Sequence, residues 1–145
     1  MRRIATLALA CAFVLALAGA AGAQTGGFKI VVNKDNPARG LAKGKIAFMF
    51  MKMTTRWDHG VAVAPVDQAP ASAVRAAFSR EIHGRDVEAI EAAWQRAVFA
   101  GRGTPPPEAR SDEDVIAHVA GDPGGIGYVS AGANTDRVKV LEVLQ

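Results

Sequence analysis

The sequence predicts an α/β sandwich: one domain with a mixed sheet flanked by helices. Three observations carry this. Short apolar runs such as Lys29–Val32 and the segment IGYVS from Ile126 carry a strand signature. Between them lie segments with apolar residues at i, i+3, i+4 and i+7. Strands and helices alternate along most of the chain, with two places where helices follow one another directly.

The elements follow in order. The first 23 residues, MRRIATLALACAFVLALAGAAGA, carry Arg2 and Arg3, then an apolar run from Ile4 to Ala18, then Ala21-Gly22-Ala23. This is the pattern of a secretory signal peptide, with cleavage expected after Ala23. The run is too short and alanine-rich for a membrane span, so no membrane insertion is expected once it is removed. The expected mature domain is 24–145, which is 122 residues and enough for one core. Cys11 is the one cysteine and leaves with the signal, so disulfide, thiol and zinc-thiolate chemistry are excluded for the mature part. Loss of Arg2 and Arg3 takes the basic count from 17 to 15, against 14 acidic residues. That balance creates no field for nucleic acid or an anionic membrane.

A strand over Lys29–Val32 is stopped by the turn chemistry of Asn33-Lys34-Asp35-Asn36-Pro37. A helix is expected over Leu41–Met53, with Ile46, Met49, Phe50 and Met53 on its inner stripe. VAVAPVD reads as a strand with Pro65 at an edge or near its end. SAVRAAFSREIHG is a helix with Val74, Ala77, Phe78 and Ile82 on one face, stopped by Gly84. A third helix follows Asp86 as N-cap, with Val87, Ile90, Trp94 and Ala97 inward and Gly101 at its end. The stretch GRGTPPPEAR, Gly101–Arg110, is expected to hold no regular structure, because three consecutive prolines forbid it. Ser111 with Asp114 forms a variant capping box for a fourth helix that buries Val115, Ile116 and Val119 and stops at Gly121. Gly124-Gly125-Ile126-Gly127 is a helix stop and tight approach to the next strand, not a dinucleotide loop, because it precedes its strand. A final strand runs through RVKVLEV, with Val138, Val140 and Leu141 or Val143 alternating.

Catalytic and metal patterns are not legible. His59, His83 and His118 stand apart, without ligand spacing. No serine sits in a nucleophile motif. The reading is therefore non-enzymatic and without a cofactor. Met49, Met51 and Met53 raise periplasmic Cu(I) handling as an alternative, since thioethers bind that ion. Residues two apart on a helix point about 200° apart, which argues against a shared ion. A hydrophobic docking surface near Phe48 and Met51, both off the inner stripe, is a further alternative. The polar stretch VDQAPASAVR places Asp67, Ser72 and Arg75 where a strand ends and a helix begins. In open α/β sheets ligands bind at that edge, and helix N-termini favour anions.

The order of motifs resembles the substrate-binding protein of phosphate ABC transporters. Asn33 and Asn36-Pro37, FMFMKMTTRWDHG, VAVAPVD, Ser72-x-x-Arg75-x-x-Phe78, Trp94, FAGRGTPPP and DPGGIGYV follow in the family's sequence. PGGIGYV is close to the family's PGAIGYV, and Phe48–Trp57 follows its IFLGKxxxW in outline. The resemblance spans about Phe28 to Val129. It implies one lobe of a type II periplasmic-binding-protein fold, a periplasmic or secreted location, and an origin in phosphate capture. The anion-site candidates are Ser72, Arg75, Asp67, Asn33, Thr54 and Thr55, and the deciding observation is whether Ser72, Arg75, Asn33 and Thr54 or Thr55 line one concave polar surface. The resemblance also shows departures. Ala73 and Val74 stand where the family's anion loop has Gly and Thr, no arginine precedes that loop, and Met51 replaces the glycine of LGK. The expectation is weak binding of a small anion, alone or with a periplasmic or membrane protein completing the cleft.

Overall fold

A computed structural model describes residues 27–145. The expected signal peptide, its cleavage point and Cys11 lie outside the described residues.

The main sheet has five strands in the order β2-β7-β1-β6-β3. These are β1 (Phe28–Val32), β2 (Gly40–Ala42), β3 (Ala64–Pro65), β6 (Gly125–Ser130) and β7 (Lys139–Leu144). β1 lies between β6 and β7 and is antiparallel to both, with Ile30 opposite Tyr128 on one side and Leu141 on the other. β2 joins β7 and β3 joins β6 in parallel, so the sheet is mixed. A separate parallel pair is formed by β4 (Asp67–Gln68) and β5 (Glu108–Ala109).

Each face of the sheet buries its own apolar cluster, as alternation along a strand requires. Ile30, Val32, Ile126, Tyr128 and Leu141 meet Ile46, Met49 and Phe50 of α1 (Lys43–Phe50) and Phe78 of α2 (Ala73–Phe78). Val31 and Val129 meet Val115, Ile116 and Val119 of α4 (Asp112–Gly121) on the other side. α2 continues into a π-helical turn, Ser79–His83, which Gly84 ends at φ +65°. α3 (Val87–Phe99) packs beside that turn, and neither cluster draws on it.

The expected caps form. Ser72, Asp86 and Ser111 accept hydrogen bonds from the amides of Arg75, Ala89 and Asp114, worth about 1 kcal/mol each. The Gly124–Gly127 run is explained by close approach. A Cβ on Gly124 would lie 1.7 Å from the Ala62 carbonyl oxygen, and one on Gly127 would lie 2.6 Å from Val115 Cγ1. Pro65 falls in edge strand β3, where a missing N–H costs no ladder bond.

Three expectations need correction. Glu108–Ala109, inside the stretch expected to be irregular, forms β5 between α3 and α4, because the extended segment at Asp67–Ala69 donates to the carbonyls of Pro107 and Ala109, which the prolines leave available. The helix over Leu41–Met53 is shorter, because Leu41 is drawn into β2 beside Val143, and the helix ends at Phe50. Lys52 adopts φ +56°, the left-handed geometry that terminates helices, so Met53 leaves the inner stripe and is 70% exposed. Met51 keeps an ordinary φ of −84°, and the left-handed position is one residue later. In β7, Leu141 is buried and Val143 half-buried, while Val140 faces out.

Candidate functional site

The polar site begins where the chain changes sheets. The Val66 amide donates to the Ile126 carbonyl of β6, and the next amide, that of Asp67, donates to Pro107 beside β5. That step carries Asp67 and Gln68 off the main sheet and sets both, buried, against Tyr128. Tyr128 stacks on Phe78 with centroids 3.9 Å apart and planes 8° from parallel. Its hydroxyl donates to Asp67 Oδ1 and accepts from the Gln68 amide at 3.0 Å. A buried tyrosine hydroxyl needs such partners.

Arg75, one turn into α2, enters the same cluster and is 4% exposed. Its Nη1 donates to the Gln68 carbonyl at 2.8 Å and to Glu108 Oε1 at 3.0 Å, and its Nε lies 3.4 Å from Asp67 Oδ1. Gln68 ties the cluster to α4. Its Nε2 donates to the Tyr128 carbonyl and to Asp112 Oδ1, at 3.0 and 3.1 Å, while its Oε1 accepts from Ser72 Oγ at 2.7 Å. Asp112 in turn accepts from the Ser130 amide and hydroxyl.

Burial raises the Asp67 carboxyl above its ordinary 3.8, against the smaller opposing pull of Arg75. Burial, followed by the Asp67 charge, raises the Tyr128 hydroxyl as well. His83 is packed edge-on against Phe78 and is lowered from 6.5 to about 4, by burial first and then by the charges of Arg75 and Arg85.

The six predicted residues do not form one surface. Asp67, Ser72 and Arg75 come together. Asn33 lies at the opposite end of β6, where its Nδ2 donates to the carbonyls of Val119 and Ala120 and its amide donates to Gly125. The five steps from Gly125 to Ser130 span about 16 Å. Asn33 thus ties down the end of α4. Thr55 accepts from the Val63 amide beside that same end, and the Thr54 amide closes the end of α1 on the Phe48 carbonyl.

Sequence reading missed Gln68, Glu108, Asp112, Tyr128 and Ser130. One signal was present: the chain has one tyrosine, inside an apolar strand, and its hydroxyl had to be satisfied there.

The cluster's chemistry is that of an internally paired network. Every Arg75 bond above goes to this chain's own oxygen atoms. Two carboxylates, Asp67 and Glu108, face that single guanidinium, and a third, Asp112, joins the network through Gln68. Ser72 Oγ both donates and accepts within the network, and its outer side opens on a shallow depression shared by Arg80, Asp86 and Glu88. No group of three or more His, Cys, Asp or Glu able to hold a metal occurs among the described residues. Met49 is sealed in the core, whereas Met51 and Met53 line a surface depression with Trp94. A shared Cu(I) site would have to pull the Met49 sulfur out of the core.

No family model and no curated protein matches the sequence. Solved structures do match in fold. One is a protein assigned as a phosphate ABC transporter substrate-binding protein from Clostridium perfringens, with phosphate bound. It has a TM-score of 0.64 at 21% identity over 81% of this chain. An ABC-type phosphate transport receptor from Vibrio cholerae gives 0.62 at 18% identity over 81%. A protein assigned as phosphate-binding from Planctomyces limnophilus gives 0.62 at 13% identity over 83%. This chain spans 45%, 46% and 42% of those three chains, a little under half of each. The chain therefore shares the mixed α/β fold of part of those chains, as its motif order led us to expect. No helix among the described residues is long and apolar enough to cross a membrane.

Proposed function

We propose that this protein is a non-catalytic, extracytoplasmic binding module built on one part of a phosphate-receptor fold. On this reading its strand-to-helix edge holds phosphate or another small anion only weakly by itself, and a second polypeptide completes the binding surface. One observation carries the proposal: Arg75, the cation at that edge, is buried and already paired with Asp67, Glu108 and the Gln68 carbonyl.

An anion arriving at α2 would have to displace carboxylates from Arg75 and approach Asp67 and Glu108 at close range. Breaking such a buried pair is costly. The Ser72 hydroxyl already accepts from the Arg75 amide, so only the remaining first-turn amides of α2 leave a modest attraction. An open half-cleft keeps water in competition for the ion. The extracytoplasmic part rests on the signal-like first 23 residues and the fold relationship.

Calorimetric titration of protein expressed from the full chain tests this. Phosphate is expected to give no saturable heat below the millimolar range. Stoichiometric binding at micromolar phosphate would overturn the proposal.

A second reading, a docking module with no anion ligand, is favoured by the exposure of Phe48, Met53, Val98 and Phe99. Absence of any thermal shift at tens of millimolar phosphate would select it.

A further inference from the structure

A groove of about 290 Å³ lies between α3 and the chain entering β5. That volume approaches the lower end of small-molecule pockets. Its walls are apolar: Trp94, Val98, Phe99 and Pro105. Its charged groups are Arg75, Glu91 and Glu108. Arg75 is the buried one, at 4% exposure, and its bonds run through Nε and Nη1. Nη2 enters none of them. Among the described residues, Asn36 Nδ2 alone is a fully buried side-chain donor without a partner. The unbonded Nη2 therefore reaches the surface, and the depression that Arg75 lines is this groove. Beside it, Glu108 Oε1 lies 3.0 Å from Nη1 of the same guanidinium. Glu91 is half-buried and forms no ion pair among the described residues.

We propose that this groove binds a free α-amino acid with an apolar side chain, of the size of leucine or phenylalanine. Nη2 is a charged donor without an acceptor, which calls for a carboxylate. Glu91 is a carboxylate without a cation, which calls for an ammonium. Both demands open on one groove. Glu108, beside the guanidinium, adds a second acceptor, so donor and acceptor stand side by side as the two charges of an α-amino acid do. The apolar walls take the side chain, and Trp94 and Phe99 offer it aromatic surface. A bare anion satisfies Nη2 but meets Glu91 and Glu108 as like charges. A bare amine leaves Nη2 unmet. A zwitterion answers both, and no existing bond of Arg75 has to break. The groove is the outer side of the polar cluster and shares Arg75 and Glu108 with it. Selection against bare anions agrees with weak phosphate binding, but amino acid binding does not rest on it.

Calorimetric titration of protein expressed from the full chain with L-phenylalanine tests it. Saturable one-to-one binding is expected, with a Kd between roughly 10 µM and 1 mM. Phenethylamine, which lacks the carboxylate, and 3-phenylpropanoate, which lacks the ammonium, should each bind more weakly by about tenfold or more. Glu91→Gln and Val98→Asp should each weaken phenylalanine about tenfold, with urea midpoints unchanged. Phosphate should not displace phenylalanine. No saturable heat up to about 10 mM phenylalanine would overturn the proposal. So would an analogue that binds as tightly as phenylalanine, an affinity that neither variant changes, or displacement by millimolar phosphate. The phosphate reading fails on a separate result, tight phosphate binding, and survives if phenylalanine does not bind.

Discussion

The strand-to-helix edge and the end of α3 invert the usual partition of side chains. At the edge, Asp67, Gln68 and Arg75 are buried with 4 to 5% exposure, and at the end of α3 a phenylalanine is 93% exposed. The polar residues are inside because the chain crosses from the main sheet to the β4–β5 pair at Asp67. That crossing traps them between Tyr128, α2 and α4, and mutual hydrogen bonds then make the burial tolerable. The apolar residues are outside because α3 rests on the π-helical turn and, among the described residues, no further layer covers its far side. Position in the layers, not residue type, decided both. Charges that stay inside must satisfy each other, which leaves little of them for a bare anion. Apolar groups that stay outside are free to take a partner.

Several substitutions would break or sharpen this contrast. The largest effect is expected from Arg75→Ala, which leaves Asp67 buried without its cation. A loss of about 3–5 kcal/mol is expected, read from urea midpoints. Arg75→Met with Asp67→Leu should recover part of it. A loss under about 1 kcal/mol for the single variant would mean that the network is not the structural pin described above.

The next effect is a pH dependence from the same edge. His83 titrates near 4 when folded and near 6.5 when unfolded. The unfolded state therefore binds the extra proton between those values, and stability falls as pH drops through that window. Discounted for the partial exposure of the ring, the loss is on the order of 1–2 kcal/mol. Asp67 works in the opposite sense. Its raised folded value favours the fold at low pH, and that contribution disappears as pH rises through the folded value. Unfolding curves of His83→Phe and Asp67→Asn across pH 4–7 separate the two. A pH slope unaltered by His83→Phe would remove the histidine assignment.

The smallest effect is expected at the exposed pole. Phe99→Ser should change stability by no more than about 0.5 kcal/mol, read from urea midpoints. A larger loss would show that Phe99 supports the fold of its own chain, and the contrast between the two regions would weaken.

Much of this architecture was legible in the residues. The stripes at Phe78 and Ile82 and at Val115, Ile116 and Val119 are buried as read, and Ser72, Asp86 and Ser111 cap their helices. Such features are local, so spacing alone reports them. The reading failed where partners distant in sequence intervene. Leu41 looked helical until Val143 offered it a strand, and Met53 looked internal until Lys52 turned the chain away. For the candidate site, the reading found Asp67, Ser72 and Arg75 but could not see that Glu108 and Tyr128, 33 and 61 residues from their partners, would neutralise and enclose them.

By itself, then, the sequence determined the α/β class, the caps, most of the inward faces and the order of motifs, because these depend on periodicity and short-range hydrogen bonding. Only the tertiary structure decided which charges are spent on one another and which apolar residues remain uncovered. Both follow from how separate segments are layered in space, and Arg75 and Phe99 acquire their meaning there.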